Sequence, residues 1–245
     1  MKNHLIKSYS KINLFLTVGK KERKKKLHNI QSLIHMLSLF DEIRIKKFNG
    51  YNDKINFSGK FSGLVNKRNN SVLSSLSLLR KYGYIGNKNF YSINIKKNIP
   101  VFSGLGGGSS NSATIIKFFL KKKKLKKSEL NFFLNKLGSD IILFLNSNQV
   151  YQKNLSNISN IRHKKLFHFI IVYPFLKCST KQIYSAFKSY EILKNHKYEF
   201  LSNEKAINFL KKKRNSLERV VISKFPKIKK ILCELRKINN CQISR

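Results

Sequence analysis

The chain has 245 residues, of which 41% are hydrophobic and 12% aromatic, which is enough to bury a core and argues against disorder. It contains no apolar run of the roughly 18–20 residues that cross a bilayer, no signal-peptide pattern, and three cysteines without metal-ligand or disulfide spacing, so we expect a reducing, cytoplasmic location. The 51 Lys and Arg against 11 Asp and Glu give a net charge of +40, but the basic runs are scattered and Asn and Ile are inflated together with Lys, so we interpret this charge as mostly a bias of composition.

The first half of the chain predicts strands and helices in alternation. Alternating apolar residues predict a strand over residues 10–18, and the spacing of apolar residues between Ile30 and Leu37 predicts a helix over His28–Leu39. A helix is also expected over Asn70–Tyr82, with Asn70 as its N-cap. The remaining strands are expected at residues 41–48, 54–59 and 90–96.

The second half is predicted to be mainly helical. Phe167–Tyr173 is predicted to be a buried strand ended by Pro174, after a polar connection over residues 154–164. Helices are expected over residues 111–120, 128–137 with Ser128 as the cap, and roughly 180–190, 202–213 and 226–238. Because strands and helices interleave without a strict βαβ alternation, the predicted fold class is α+β.

One stretch points to a ligand. Pro100–Leu120, P-V-F-S-G-L-G-G-G-S-S-N-S-A-T-I-I-K-F-F-L, has four glycines within Gly104–Gly108, between a predicted strand and a predicted helix. In that setting, backbone N–H groups and the helix dipole can hold an anion, and Ser109 and Ser110 add hydroxyls for a phosphate oxygen or Mg²⁺. The stretch has neither the G-K-[ST] ending of a Walker A loop nor the spacing of a dinucleotide fingerprint. It therefore predicts phosphate binding by another architecture.

Four motifs together resemble one kinase superfamily. I-P with G-L-G-G-G-S-S-N-S-A is similar to the phosphate loop of the galactokinase, homoserine kinase, mevalonate kinase and phosphomevalonate kinase (GHMP) superfamily. S-K-I-N-L-F-L, H-N-I-Q-S-L…L-F-D-E and L-G-S-D-I-I-L-F resemble, in order and spacing, the motifs of one of its families, the 4-diphosphocytidyl-2-C-methyl-erythritol kinases. The resemblance covers most of the chain.

The resemblance implies a fold, an activity and ligands. The implied fold has two domains: an N-terminal ribosomal-S5-domain-2-like domain over residues 1–155 that holds the Gly-rich loop, and a C-terminal ferredoxin-like α/β sandwich over residues 156–245. The implied reaction is ATP-dependent phosphorylation of the 2-hydroxyl of 4-diphosphocytidyl-2-C-methyl-D-erythritol in the non-mevalonate isoprenoid pathway. The implied ligands are ATP, Mg²⁺ bound mainly through ATP with Ser109 or Ser110 as further contacts, and a cytidine diphosphate-linked polyol. No nucleic acid or membrane is expected as a partner, and a homodimer is an option.

The resemblance also assigns site residues. Asp140 would be the catalytic base, and Lys11 would hold it ionised and stabilise the transition state, because phosphoryl transfer needs a deprotonated acceptor and neutralised phosphate charge. From the residues alone, Asp140 could equally be a turn residue and Thr180 an N-cap. The expected ATP contacts are Pro100, Val101, Phe102, Ser103, Gly104, Leu105, Gly106, Gly107, Gly108, Ser109, Ser110, Lys97 and Asn70. The expected substrate contacts are Asn13, His28, Thr180 and Tyr184.

The chain departs from the family pattern in two places. The family has D-G-Y before its histidine, with the tyrosine stacked on cytosine, whereas this chain has Lys25, Lys26 and Leu27, so Tyr184 or another ring would have to compensate. The chain ends at C-Q-I-S-R, where the family's last Gly-rich motif is expected to begin, with Arg245 at its first glycine. Three alternatives therefore stay open: another GHMP small-molecule kinase, an inactive truncated remnant and, on net charge alone, a basic nucleic-acid-binding protein.

Overall fold

The chain forms two compact units. A computed structural model describes residues 4–22, 27–121, 123–145, 149–155, 157–161, 167–193 and 202–245. The first unit comprises residues 1–12 and 36–147, and the second comprises residues 13–35 and 148–245. Within the described ranges, no helix is both long enough and apolar enough to cross a membrane.

Six strands and eight α-helices make up the described structure, which has the predicted α+β class. The strands are His4–Lys21 (β1), His28–Phe48 (β2), Lys54–Ser58 (β3), Phe90–Lys96 (β4), Gln149–Gln152 (β5) and Ile158–Asn160 (β6). The helices are Ser71–Lys81 (α1), Gly107–Leu120 (α2), Lys127–Leu137 (α3), Ile141–Leu145 (α4), Thr180–Ala186 (α5), Asn203–Lys211 (α6), Glu218–Lys224 (α7) and Pro226–Lys237 (α8), with a 3-10 turn at Ser62–Leu64. The predictions for β1, β3, β4 and α1 are confirmed, whereas β6 lies inside the expected polar connection and α7 has no predicted counterpart.

The first unit packs helices against a mixed sheet. β4 pairs in parallel with β3 and antiparallel with the second part of β2, where Glu42 lies opposite Lys96. Helix α2 packs against α1 and α4. Fully buried side chains from the sheet and the helices form one core, which includes Ile43, Ile93, Ile95, Leu76, Leu79, Ile115, Ile116 and Phe133. This core fixes β4 and α2, the two elements that flank the Gly-rich stretch.

The second unit is built around a smaller core. The first part of β2 pairs antiparallel with β5, with Ser32 opposite Gln152, and β5 pairs antiparallel with β6. The core residues are Leu16, Val18, Ile30, Leu155, Ile183, Phe187 and Leu217. They hold α5 against the parts of β1 and β2 that belong to this unit.

The predicted helix over His28–Leu39 is wrong, because these residues form the first part of β2. Every residue from Ile30 to Ile34 is buried, and Ser32–His35 are paired with β5. Two of these buried residues, Gln31 and Ser32, are polar, so the apolar residues alone fall at a helical spacing although consecutive residues of the strand are buried. The pairing partner, which lies more than a hundred residues later, decides the structure.

Three smaller predictions are also wrong. Phe167–Tyr173 forms no strand: none of the described strands pairs with it, and Ile170 is 80% exposed. Helix α2 begins four residues before Asn111, because the first glycines after the N-cap adopt the helical conformation. Helix α3 begins after Lys126 rather than Ser128, since the carboxylate of Glu129 accepts from the Lys126 N–H at 2.8 Å.

The N-cap of α1 gives a stability prediction. Asn70 Oδ1 accepts from the N–H groups of Val72 and Leu73, both at 3.1 Å. We expect Asn70→Ala to lower the free energy of unfolding by about 1 kcal/mol and Asn70→Asp to retain most of it, because aspartate also caps helices. The matched control is Asn69→Ala, which removes an exposed side chain that does not cap α1 and should change this free energy by less than about 0.5 kcal/mol. Urea denaturation measures the three variants, and equal losses at both positions would contradict the capping role.

Candidate active site

The Gly-rich stretch forms a tight loop between β4 and α2. Ser103 Oγ donates to the carbonyl of Pro100 at 2.7 Å, and the Leu105 N–H donates back to Ser103 Oγ at 3.3 Å. Phe102 and Gly106 have positive φ angles, 62° and 74°. The left-handed conformation costs a residue with a Cβ roughly 1–2 kcal/mol, so the loop is strained at Phe102 but not at Gly106.

Gly106 is a point of close approach within the first unit. A Cβ at this position would lie 2.7 Å from Cζ of Phe144 and 3.3 Å from Cε of Lys11. The neighbouring carbonyl of Leu105 accepts from the Lys11 N–H at 3.0 Å, which ties β1 to the loop. Both the φ angle and the lack of space therefore require glycine here.

The two predicted catalytic residues lie side by side. Lys11 Nζ is 3.5 Å from Oδ2 of Asp140, which directly precedes α4. The side chain of Lys11 is 9% exposed, whereas that of Asp140 is 37% exposed. A nearly buried cation thus lies beside a carboxylate that solvent can reach, and such a carboxylate can accept a proton from a bound hydroxyl.

The other two aspartates are committed to cationic partners. Asp53 accepts from both terminal nitrogens of Arg80, at 2.6 and 2.8 Å, and from the Tyr91 N–H at 2.9 Å. Asp41 is fully buried and pairs with Lys97. Of the three aspartates in the chain, Asp140 is therefore the one with an open carboxylate.

Lys97, a predicted ATP contact, is buried. Its Nζ donates to Asp41 and, at 2.9 Å, to Oδ1 of Asn111. Burial lowers the pKa of Lys97 below its usual range, although the Asp41 carboxylate acts in the opposite direction. The contact of Lys97 with ATP stays a prediction, and sequence reasoning missed the role of Asp41 altogether.

The two serines after the loop differ in environment. Ser110 is 2% exposed, its Oγ donates to the carbonyl of Tyr9 at 2.5 Å, and it lies 2.7 Å from Oγ of Ser8. Ser109 is half-buried, and no described residue hydrogen-bonds to its hydroxyl. The Ser109 hydroxyl is therefore the better placed of the two to contact a ligand.

The candidate substrate residues all lie in the second unit. Asn13 Nδ2 donates to Oγ of Ser32 at 2.8 Å. Thr180 is exposed and is the first residue of α5, after Ser179 at the N-cap position, so it is not itself the N-cap. The roles of Asn13 and Thr180 in substrate binding stay predictions.

The His28 ring is stacked against two tyrosine rings. Its ring centroid is 5.8 Å from that of Tyr184 and 5.2 Å from that of Tyr190, with interplanar angles of 28° and 29°. Its Nδ1 is 3.3 Å from the carbonyl oxygen of Gly19, while its Nε2 is buried and has no hydrogen-bond partner among the described residues. Because a carbonyl can only accept, Nδ1 donates, and the neutral ring then presents Nε2 as an acceptor.

This chain has no aromatic ring at the position where the family has a tyrosine before its histidine. Leu27 stands at that position and is 49% exposed, whereas Lys25 and Lys26 lie outside the described residues. Tyr190 was not among the predicted residues, and nothing in its local sequence distinguishes it from the other tyrosines.

Comparison with known proteins gives the family. The GHMP kinases N terminal domain matches residues 70–147, from the N-cap of α1 through the Gly-rich loop to the end of the first unit. The 4-diphosphocytidyl-2-C-methyl-D-erythritol kinase of Pelagibacter ubique (strain HTCC1062) is 37% identical over 245 residues, which cover 98% of this chain and 84% of the relative. The chain belongs to this kinase family.

Further comparisons agree with this assignment. The kinase of the same name from Buchnera aphidicola subsp. Schizaphis graminum is 35% identical over 93% of this chain and 77% of the relative. A crystal structure of 4-(cytidine 5'-diphospho)-2C-methyl-D-erythritol kinase superposes with a TM-score of 0.64 at 21% identity, covering 95% of this chain and 82% of that chain. These findings confirm the predicted GHMP kinase fold.

The Gly-rich loop fits the phosphates of ATP, the nucleotide that GHMP kinases use. Helix α2 is 14 residues long, and the N–H groups of its first turn, from Gly107 to Ser109, point out of its N-terminus. The Ser110 N–H already donates to the Gly106 carbonyl at 2.8 Å, so it does not belong to this set. Among the described residues, no three His, Cys, Asp or Glu side chains are grouped to hold a metal ion.

The close approach at Gly106 gives a prediction about activity. Gly106→Ala should reduce kcat by about 100-fold or more, because the new Cβ must displace Phe144 or Lys11, and a displacement of 1 Å near a reacting group can cost that much. The matched control is Gly104→Ala, which has nearly the same φ, 75°, but nothing within 4 Å of the added Cβ. A coupled assay of ADP release measures both variants. Equal losses in both would show that the positive φ angle, and not the close approach, is what matters.

Proposed function

We propose that the protein transfers the γ-phosphoryl group of ATP to the 2-hydroxyl of 4-diphosphocytidyl-2-C-methyl-D-erythritol in non-mevalonate isoprenoid synthesis. The observation that carries the proposal is the Lys11–Asp140 pair, which lies beside a Gly-rich loop at the N-terminus of α2. Relatives that bear this enzyme's name align with nearly the whole chain, and the four motifs lie in their expected order.

Asp140 is the general base of the proposed reaction. Its open carboxylate accepts the proton of the 2-hydroxyl as that oxygen attacks the γ-phosphorus, and the bond from phosphorus to the bridging oxygen breaks to release ADP. Lys11 Nζ, 3.5 Å away, stabilises the negative charge that develops on the attacking oxygen. Because the side chain of Lys11 is nearly buried, water screens this interaction little.

The backbone of α2 supplies the phosphate contacts. The N–H groups of Gly107, Gly108 and Ser109 lie at the positive end of the helix and need no side chain to reach an anion. Mg²⁺ bound to ATP would neutralise charge on the transferred group, with the Ser109 hydroxyl as the protein oxygen best placed to contact it.

His28 and Tyr184 are the proposed contacts for the cytosine ring. An Nε2 atom that accepts hydrogen bonds matches the exocyclic amino group of cytosine, which donates, and would repel the carbonyl oxygen that uracil has at the same place. The Tyr184 ring offers a stacking face in place of the family tyrosine, since Leu27 has none. The division of the chain at residue 155, the homodimer and the cytoplasmic location stay predictions.

The catalytic pair predicts a clear kinetic pattern. Asp140→Asn should lower kcat by about 10²–10⁴-fold, because the amide cannot accept the proton. Lys11→Met should lower kcat by about 100-fold or more, since the developing charge loses its partner. Neither residue contacts ADP in the proposed mechanism, so calorimetry should show ADP affinity within about threefold of the parent. Coupled ADP release with the cytidyl substrate measures kcat, and Glu234→Gln, an exposed position in α8, serves as the control.

The possible results separate the alternatives. If Asp140→Asn is as fast as the parent, Asp140 is not the base. If the parent phosphorylates another small alcohol but not the cytidyl substrate, the protein is a different GHMP kinase. If the parent binds ADP without turnover of any alcohol, it is an inactive member of the family.

The cytosine assignment can be tested separately. Tyr184→Leu should raise KM for the cytidyl substrate by about tenfold, because stacking on an aromatic ring contributes roughly 1–3 kcal/mol per base. KM for ATP should stay unchanged. Tyr51→Leu removes a ring that is 93% exposed in the first unit and should leave both KM values as they are. An unchanged KM for the cytidyl substrate in Tyr184→Leu would exclude this ring as the stacking platform.

A further inference from the structure

A buried carboxylate, Asp41 in β2, holds the entry into the Gly-rich loop. Oδ1 of Asp41 accepts from the N–H groups of Asn98, at 2.8 Å, and Ile99, at 2.9 Å. These two residues directly precede Pro100. Because Asp41 is fully buried, water does not compete for these bonds, and the start of the loop is fixed to one oxygen atom.

The second oxygen of Asp41 holds the exit from the same loop. Oδ2 accepts from Nδ2 of Asn111 at 3.0 Å, and Asn111 directly follows Ser110 in α2. Oδ2 also accepts from Lys97 Nζ, which donates at 2.9 Å to Oδ1 of Asn111. Since an ammonium group can only donate, the oxygen of the Asn111 amide must face Lys97, and its nitrogen must face Asp41.

The contacts continue from Asn111 to the strand that carries Lys11. Asn111 Nδ2 donates its second proton to Oγ of Ser8 at 3.0 Å. Ser110 uses its one hydroxyl proton on the carbonyl of Tyr9, so Ser8 must donate in the 2.7 Å contact between the two hydroxyls. Ser8 lies three residues before Lys11 in β1, so one connected network joins both ends of the loop to the strand of the catalytic lysine.

Stability alone is a weak reason for this arrangement. The cost of removing two charges from water offsets most of their attraction, and a well-packed apolar pair of similar size is often at least as stable. A loop that is rich in glycine, however, has many accessible backbone conformations and few side chains to restrict them. Fixing both ends restricts the loop where its own side chains cannot.

We propose that Asp41 is a positioning residue for phosphoryl transfer. Through Asn98 and Ile99 at one end and Asn111 at the other, it holds the phosphate loop in the position that binds ATP beside Lys11. The inference rests on the proposed function and extends it to a residue that touches neither substrate.

The test compares the same substitution at two buried aspartates of the first unit. Asp41→Asn keeps an acceptor for the Asn98 and Ile99 N–H groups but turns a donor toward Lys97 and Asn111, which are donors themselves. Asp53→Asn likewise keeps an acceptor for a backbone N–H, that of Tyr91, and turns a donor toward its cationic partner, Arg80, but it does not touch the loop. The two variants therefore make the same chemical change, one at the ends of the Gly-rich loop and the other away from it.

We measure KM for each substrate, kcat, and amide hydrogen exchange of the peptide that spans residues 99–111. Asp41→Asn should raise KM for ATP by about tenfold relative to Asp53→Asn, with KM for the alcohol substrate within about twofold. Exchange in the 99–111 peptide should become at least about tenfold faster in Asp41→Asn and stay at the parent rate in Asp53→Asn. If both variants change KM for ATP and loop exchange equally, the proposal is overturned, because the effect is then one of general stability.

A milder variant keeps the test decisive if Asp41→Asn does not fold. Ser8→Ala breaks the link between Asn111 and Ser110 and leaves every charge paired. It should raise KM for ATP by about threefold and speed loop exchange in the same direction. Its control, Ser75→Ala, removes a fully buried hydroxyl that donates within α1 to Ser71, and it should change neither. If the parent turns over no alcohol, the proposed function fails, whereas loop exchange in these variants still supports or overturns the role of the network.

Discussion

The Gly-rich loop packs closely against β1 and α4, and the proposed catalytic pair depends on this contact. The Leu105 carbonyl accepts from the backbone of Lys11, and the missing Cβ of Gly106 leaves room for the Lys11 side chain and the Phe144 ring. Phe144 belongs to the helix that Asp140 precedes. The same contact that places the Gly-rich loop therefore also places both proposed catalytic side chains, and none of the three can move far without the others.

Carboxylates are scarce in this chain, and their environments separate their roles. The chain has 11 acidic residues against 51 Lys and Arg, so most of its cations have no acidic partner and remain in contact with water. All three aspartates nevertheless pair with a cation in the first unit. Two of these carboxylates also accept from backbone N–H donors, which suits a structural role. The Asp140 carboxylate, which pairs with Lys11, remains accessible to solvent, and proton transfer needs an accessible carboxylate.

Two elements that sequence patterns predicted well, β4 and α1, are buried on one side only. Alternation in β4 and the capped apolar stripe of α1 each carry their own signal, because one face meets the core and the other meets water. The composition of β1, rich in residues that favour strands, was sufficient to predict it although its residues Leu14 to Leu16 are all buried. The first part of β2 is buried on consecutive residues, some of them polar, so its apolar residues fall at a helical spacing although the segment is a strand. The prediction of a strand at Phe167–Tyr173 is wrong for another reason. Its composition suits a strand, but a strand also requires a pairing partner, and the local sequence does not show whether one exists.

The candidate site shows the same limit at the level of single residues. The glycines and Asp140 could be proposed as site residues from the sequence, because they stand within short contiguous motifs. Asp41 contacts residues that are 56 to 70 positions away, so no local pattern reveals it. A loop without side chains cannot hold itself, and its position must be set by buried groups elsewhere in the sequence. Motifs therefore point to the residues that are proposed to contact the ligand, whereas the residues that hold those motifs in place become visible only in the fold.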